Sequence, residues 1–93
     1  MIKSYADKRT KQFALAGKHK SIPVQINKRA MMRLVQLDNA VDVNDLKVPP
    51  SNHLEKLIGE RNNQYSIRIN QQYRLCFLFE NGNAYDVEII DYH

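Results

Sequence analysis

An α+β fold is what this sequence predicts, with two N-terminal helices packed on a twisted, mainly antiparallel sheet. Three observations carry that expectation. The last third of the chain holds three alternating apolar/polar runs, Tyr65–Asn70, Tyr73–Glu80 and Ala84–Ile90. Short Asn/Gln/Gly clusters separate them, the pattern of an antiparallel meander. The first third instead repeats its apolar residues at helical spacing.

Opposed residues of the meander must share a face, and that sets its register. The loop Asn70-Gln71-Gln72 pairs Ile69 with Tyr73, Ile67 with Leu75 and Tyr65 with Phe77. For the second hairpin, a two-residue Asn81-Gly82 turn would oppose Phe77 to Asp86 and Leu75 to Glu88. A three-residue loop, Asn81-Gly82-Asn83, pairs Phe79/Tyr85, Phe77/Val87 and Leu75/Ile89 instead. Hydrophobic register outranks the dipeptide signal, so the odd loop is expected, with one residue at positive φ. On the other face Arg68 and Arg74 then stand directly opposite each other. Such a pair destabilises a sheet unless something anionic joins it. Ile90 opposes Arg74, and Tyr92 lies one diagonal step away.

Taken in order, Ile2–Tyr5 reads as a short edge strand. Asp7 caps a first helix that runs through Ala16, with Phe13 as its core anchor and Gly17 as its stop. Lys18–Lys20 form a basic loop. Ser21 and Pro23 open a second helix ending near Leu37 or Asp38, with Ile26/Ala30/Leu34/Leu37 as its apolar stripe. Lys28, Arg29 and Arg33 are placed off that stripe, and the Met31-Met32 pair is read as core filler. Asp38 to Asn52 is a long polar connection in which Pro49-Pro50 blocks helix, with Leu46 and Val48 tying it to the core. His53–Ile58 reads as a further strand, ending at Gly59.

Composition narrows the function classes. Ninety-three residues make one domain with a modest core. The single Cys76 rules out a disulfide framework, and the absence of a leader or long apolar run points to a soluble cytoplasmic protein with no membrane contact. The net charge of +4 is unevenly spread. Residues 1–33 carry nine Lys and Arg against Asp7 alone, hence +8, whereas residues 34–93 carry five against nine acids, hence −4. A dipolar layout of this kind suits one face to nucleic acid, although for any lysine taken singly the ordinary solvated helix face is the stronger reading.

Three scattered histidines and one cysteine have no metal-ligand spacing, so neither metal nor cofactor is expected. No phosphate-binding glycine loop and no serine elbow is present. The remaining groups suit phosphodiester cleavage in RNA, which needs a base for the 2′-OH, a cation for the pentacovalent phosphate and an acid for the leaving oxygen. Arg68 and Arg74 supply charge; Asp91, Tyr92 and His93 supply titratable groups. Histidine is the side chain that titrates near neutrality, with a reference pKa of about 6.5. The residues themselves leave plainer roles open: a frayed terminal His93, a strand-end Tyr92, and an Arg74 paired with Glu88 or Glu80.

The blocks Ser66–Asn70 (SIRIN), Tyr73–Phe77 (YRLCF) and Val87–His93 (VEIIDYH) closely resemble the HigB-like killer-protein branch of the RelE toxin superfamily. The upstream pattern Asn52, Leu54, Glu55, Leu57, Gly59 is similar to that branch too, so the resemblance covers nearly the whole chain. It implies a RelE-like fold over residues 1–93 and the toxin of a type II toxin–antitoxin pair. Such toxins are metal-independent, ribosome-dependent endoribonucleases that cut mRNA in the A site. A helix-turn-helix, HigA-like antitoxin holds them inactive, and contact with operator DNA comes only through it. Catalytic roles carry over to Arg68, Arg74, Asp91, Tyr92 and His93. Ribosome and mRNA contacts fall to Lys18, Lys20, Lys28, Arg29, Arg33, His53, Lys56 and Arg61.

Two departures stand out. Ile58 occupies a position where lysine is frequent, with His53 and Lys56 as nearby substitutes, and Tyr73 stands where Trp is frequent. Strict alternation also puts Asp91 and His93 on the face opposite Arg74 and Tyr92, so a bulge or an exit from the sheet after Ile90 is needed to gather them. The competing expectation is a non-catalytic RNA- or protein-binding module of the same fold.

Overall fold

The computed structural model of the protein describes residues 1–61 and 63–92, with the side chain of Glu60 left aside. His93 therefore lies outside the described residues. Helix α1 spans Lys8–Ala16 as expected: the Asp7 side chain accepts the Thr10 N–H, and Gly17 ends it at φ 76°. That left-handed terminus is open to glycine at no steric cost. Phe13 and Thr10 are the buried residues of α1, and the Thr10 hydroxyl accepts the backbone N–H of Ile89.

A 3₁₀ turn, Val24–Ile26, follows Pro23 and leads into α2, Asn27–Asn39. The helix proper thus starts later than Ser21, and Ile26, Ala30, Leu34 and Leu37 are buried. Arg33 is buried too, at 3% exposure, which corrects its placement off the stripe and on an RNA-facing surface. It lies three residues after Ala30 and four before Leu37, which returns it to the inner face of the helix. Met31 packs against the core, but Met32 is 47% exposed.

Two more 3₁₀ turns, Val43–Lys47 and Pro50–Asn52, give the long connection structure of its own. Reciprocal Asp42 and Asp45 caps start the first. Leu46 anchors it at 1% exposure, whereas Val48 is 73% exposed and ties nothing down. Asn52 is the second tie, since its buried Nδ2 donates to the Leu46 carbonyl at 3.0 Å.

The sheet has four antiparallel strands in sequence order: β1 Glu55–Lys56, β2 Tyr65–Arg68, β3 Tyr73–Glu80 and β4 Asn83–Asp91. Only two residues of His53–Ile58 form strand. The β2–β3 register is the expected one, with Ile67 opposite Leu75, Tyr65 opposite Phe77 and Arg68 opposite Arg74.

The β3–β4 hairpin departs from expectation in an informative way. Glu80 pairs with Asn83, so the turn is the two-residue Asn81-Gly82, both at positive φ (53° and 80°). Leu75 nevertheless opposes Ile89, as the hydrophobic register demanded. A bulge reconciles the two: between Cys76/Glu88 and Leu78/Tyr85, β4 has one residue more than β3. Asp86 sits there at φ 52°, a left-handed conformation that costs a residue with a Cβ about 1–2 kcal/mol. Its N–H is taken by the Ser4 hydroxyl at 2.9 Å.

The N-terminal segment lies parallel to β4 through bridges Ile2–Ala84 and Tyr5–Val87. Beyond it, Thr10 and Arg9 of α1 engage the N–H and carbonyl of Ile89. The edge of β4 is thereby covered, which protects its backbone groups from pairing with other chains. Between helices and sheet lies the core, with Phe13, Leu37, Leu46, Ile67, Leu75, Phe77 and Ile89 fully buried. Each such side chain is worth about 1.5–3 kcal/mol in burial.

Candidate nucleic-acid interface

The end of the sheet at the β2–β3 loop gathers most of the expected site. The loop is shaped by Asn70, whose Oδ1 accepts the N–H groups of Gln72 (2.8 Å) and Tyr73 (2.7 Å), a local turn that Asn makes readily. Its carbonyl accepts the Nε–H of Arg68 at 3.2 Å. Beneath, the buried Arg33 donates Nε–H to the Arg68 carbonyl at 2.8 Å and so ties α2 to the end of β2. Burial and the neighbouring Arg29 push the Arg33 guanidinium pKa down, yet an arginine remains cationic there.

Arg68 faces a hollow of about 210 Å³ that Arg29, Ser51, His53, Asn70 and Gln71 also line. A second hollow of about 490 Å³ continues along the start of α2 past Gln25, Lys28, Arg29 and Met32. None of Arg68, Arg29 and Lys28 is ion-paired among the described residues. The cleft is therefore cationic, and its charges are available to an anion.

Arg74 is bound differently. Its Nε donates to Ser66 Oγ at 2.8 Å, and its Nη2 donates to the His53 carbonyl at 2.6 Å. Glu55 lies 3.6 Å from its Nη1, and the Tyr92 ring centroid 5.8 Å from its Cζ. Repulsion across the Arg68/Arg74 pair is thus offset by a carboxylate, two oxygens and a ring face. The acidic partner is Glu55, because the β1–β2 register places it opposite Ser66. It is neither Glu88 nor Glu80. His53 is itself held at φ 44°, ψ 57°, with its carbonyl on Arg74, and the residue lines the cleft that holds Arg68. Strained residues of this kind concentrate at functional sites.

The chain end is sorted by the sheet. Asp91 still belongs to β4, opposite Tyr73, and accepts from Gln72 Nε2 at 3.1 Å. Tyr92 donates its backbone N–H to the Gln72 carbonyl and puts its ring on Arg74. No bulge interrupts β4 between Glu88 and Asp91, so Asp91 and Tyr92 remain on opposite faces.

The remaining expected contacts lie apart from the cleft lining. Lys18 and Lys20 are exposed on the α1–α2 connection, around His19, whose Nδ1 accepts the Ser21 N–H. Lys56 is exposed on β1. Arg61 is 3.3 Å from Glu88, beside Cys76 on the outer face of the sheet. Sequence reasoning had no role for Glu55, Ser51, Ser66 or Gln71. The Asn70 loop pattern was the one signal available for its part of the site.

Comparison with known proteins decides the family. The model of the RelE-like toxin of type II toxin–antitoxin system HigB matches residues 3–93. The chain belongs to this family of toxins. Its relatives include Toxin HigB-1 of Vibrio cholerae, 39% identical over 85 residues and 90% of each chain. Endoribonuclease HigB of Proteus vulgaris is 33% identical over the full length of both. An uncharacterized protein of Haemophilus influenzae is 43% identical over 66 residues, 71% of this chain and 65% of that one. In fold the family member resembles the toxin–antitoxin structure described as the YoeB-YefM complex from Staphylococcus aureus. Its TM-score is 0.65 at 18% identity, covering 100% of this chain and 95% of that one. The RelE-like architecture expected from the sequence is the observed one.

Proposed function

We propose that this toxin is a ribosome-dependent endoribonuclease that cuts mRNA in the A site and is silenced by a HigA-like, helix-turn-helix antitoxin. The observation that carries the reading is Arg68, a cation with no ion-pair partner among the described residues, lining a cleft that also holds Arg29 and His53. The name of the Proteus vulgaris relative, an endoribonuclease, supports the same chemistry. Phosphate would sit on Arg68, with Arg29 and Lys28 tracking the backbone beyond it. Lys18, Lys20 and Lys56 extend the basic footprint, while Arg61 acts through its pair with Glu88.

In this reading a base takes the 2′-OH proton, O2′ attacks phosphorus, and the 5′-oxygen leaves with a proton from an acid, with no metal required. The residues proposed for proton transfer are His53, which lines the cleft, together with Asp91, Tyr92 and His93. Arg74 is a positioning residue as well as a charge: it contacts both the His53 carbonyl and the Tyr92 ring. Stabilisation of developing charge by one such cation is typically worth about 10²–10³ in rate. The place of action is the cytoplasm, where ribosomes and antitoxin meet the toxin.

The test is to map cleavage of a defined mRNA with and without ribosomes. Cuts at A-site codons that need ribosomes are expected. Ribosome binding without any cut would instead support a non-catalytic module, a reading that the commitment of Arg74 to Glu55 and the Ile58 substitution favour.

A further inference from the structure

The opposite end of β3 carries a hollow with different chemistry. About 520 Å³ in volume, it is lined in part by Ser4, Leu78, Phe79, Glu80, Tyr85 and Asp86. Leu78 and Tyr85 are directly opposed across the hairpin, so their side chains stand together on one face of the sheet. Both are half-buried, which leaves an apolar floor open to solvent, while Phe79 alternates to the other face and packs on the core. Glu80 and Asp86 are exposed beside it, and neither has an ion-pair partner among the described residues. Lys3 lines a separate hollow, which shares Ser4 with this one.

Asp86 is placed by the bulge. Its φ of 52° is a seat where glycine is the easier choice, and its backbone N–H is already satisfied by Ser4. The carboxylate adds little to that contact, since Oδ1 is 3.5 Å from the Ser4 hydroxyl. The fold thus accepts a strained backbone and presents a second unpaired negative charge next to Glu80 and the apolar floor.

We infer that this hollow is a docking surface for a polypeptide partner, through a basic segment that inserts an apolar side chain between Leu78 and Tyr85. Charge complementarity selects the occupant. Two unpaired carboxylates repel a polyanion such as RNA and attract Lys or Arg. Leu78, the lining residue of β3 nearest Arg74, is four positions along the strand from it, about 14 Å at 3.4 Å per residue, and the two hollows share no lining residue, so this one is distinct from the cationic cleft. The inference deepens the antitoxin reading above, in that the antitoxin would be the partner supplying this segment.

Nuclear magnetic resonance titration of the full chain with three synthetic peptides tests it: alternating Leu and Arg, alternating Ser and Arg, and alternating Leu and Glu. The Leu/Arg peptide should shift the amide signals of Leu78, Phe79, Glu80, Tyr85 and Asp86, and the Leu/Glu peptide should not. Binding of the Ser/Arg peptide should be weaker by on the order of tenfold, because the apolar anchor is gone. In the double variant Glu80→Lys/Asp86→Asn, where Asn tolerates the left-handed seat, affinity for Leu/Arg should fall by a similar factor. Shifts centred elsewhere, equal binding of the Ser/Arg peptide, or unchanged affinity of the double variant would each overturn the inference. The double variant should still cleave RNA, and Arg68→Ala should still bind the Leu/Arg peptide. Failure of the docking surface and failure of the ribonuclease reading are therefore read separately.

Discussion

The Nε–H of Arg33 donates to the carbonyl oxygen of Arg68 at 2.8 Å, so a buried cation of α2 positions the strand end that carries the half-exposed cation of the cleft. Arg33 and its neighbours Lys28 and Arg29 look alike in sequence. In the fold they divide into one internal strut and two surface charges.

Different outcomes of mutation follow from that division. Arg33→Ala should lower stability by about 1.5–3 kcal/mol, the range for a lost hydrogen bond from a charged group. Lys28→Glu/Arg29→Glu should remain within about 0.5 kcal/mol of wild type, as surface changes usually do. The same pair should flatten the salt dependence of ribosome binding by roughly one log unit of slope per lost phosphate contact. Denaturant melts and sedimentation at several salt concentrations measure both effects. Equal melts for the two variants would show that Arg33 is not a strut.

Arg74 was expected from its like-charged neighbour to be a source of strain, so that its removal would leave stability equal or raised. Its bonds to Ser66 and the His53 carbonyl, with Glu55 close by, reverse that expectation. Arg74→Ala should lose about 1.5–3 kcal/mol together with activity. Arg74→Lys, which keeps charge but not the planar fork, should recover only part of either. Thermal melts and cleavage assays on the two variants decide. Wild-type stability in Arg74→Ala would mean the strain account was right.

What was legible in the sequence followed the physics of each feature. Asp7, Phe13 and Gly17 announced α1 because capping and stop signals are local. The β2–β3 register was legible because Ile67/Leu75 and Tyr65/Phe77 leave no other way to share a face. At the second hairpin two sound rules conflicted, and a bulge satisfied both. That bulge was hidden because Asp86, not glycine, occupies its left-handed position. Arg33 was misplaced because its polarity was weighed above its spacing. Glu55 went unseen as the partner of Arg74 because only the three-dimensional pairing of β1 with β2 brings them together.

Cys76 should be inert in the native protein. Burial, the leading cause, pushes its thiol up from 9.0 to about 11, and Glu88 adds to the rise. A neutral buried thiol does not react as a nucleophile. At pH 8 a thiol reagent should label it only after denaturant is added. Because the native state resists ionising this group, its contribution to stability is complete below pH 9.0 and is lost as pH rises toward about 11. Fast labelling of native protein at pH 8 would contradict the buried placement.

With proton transfer shared by His53 and His93, each single Gln variant should cleave mRNA more slowly than wild type. The accompanying loss should be about 10²–10⁴ in rate, the usual value of general acid–base help. A His93→Gln variant within a few-fold of wild type would pass its part to Asp91 or Tyr92. The same result for His53→Gln would reduce that residue to its carbonyl contact with Arg74.

The most direct measurement is the single-turnover rate at which Arg68→Ala cleaves ribosome-bound mRNA, with ribosome occupancy and melting temperature measured on the same sample. Arg68 is half-exposed and its backbone carbonyl, which holds Arg33, survives the substitution. Folding and ribosome binding should therefore persist while the rate falls by about 10²–10³. A rate within a few-fold of wild type at equal occupancy would contradict the claim that the cleft beside the β2–β3 loop is where RNA is cut.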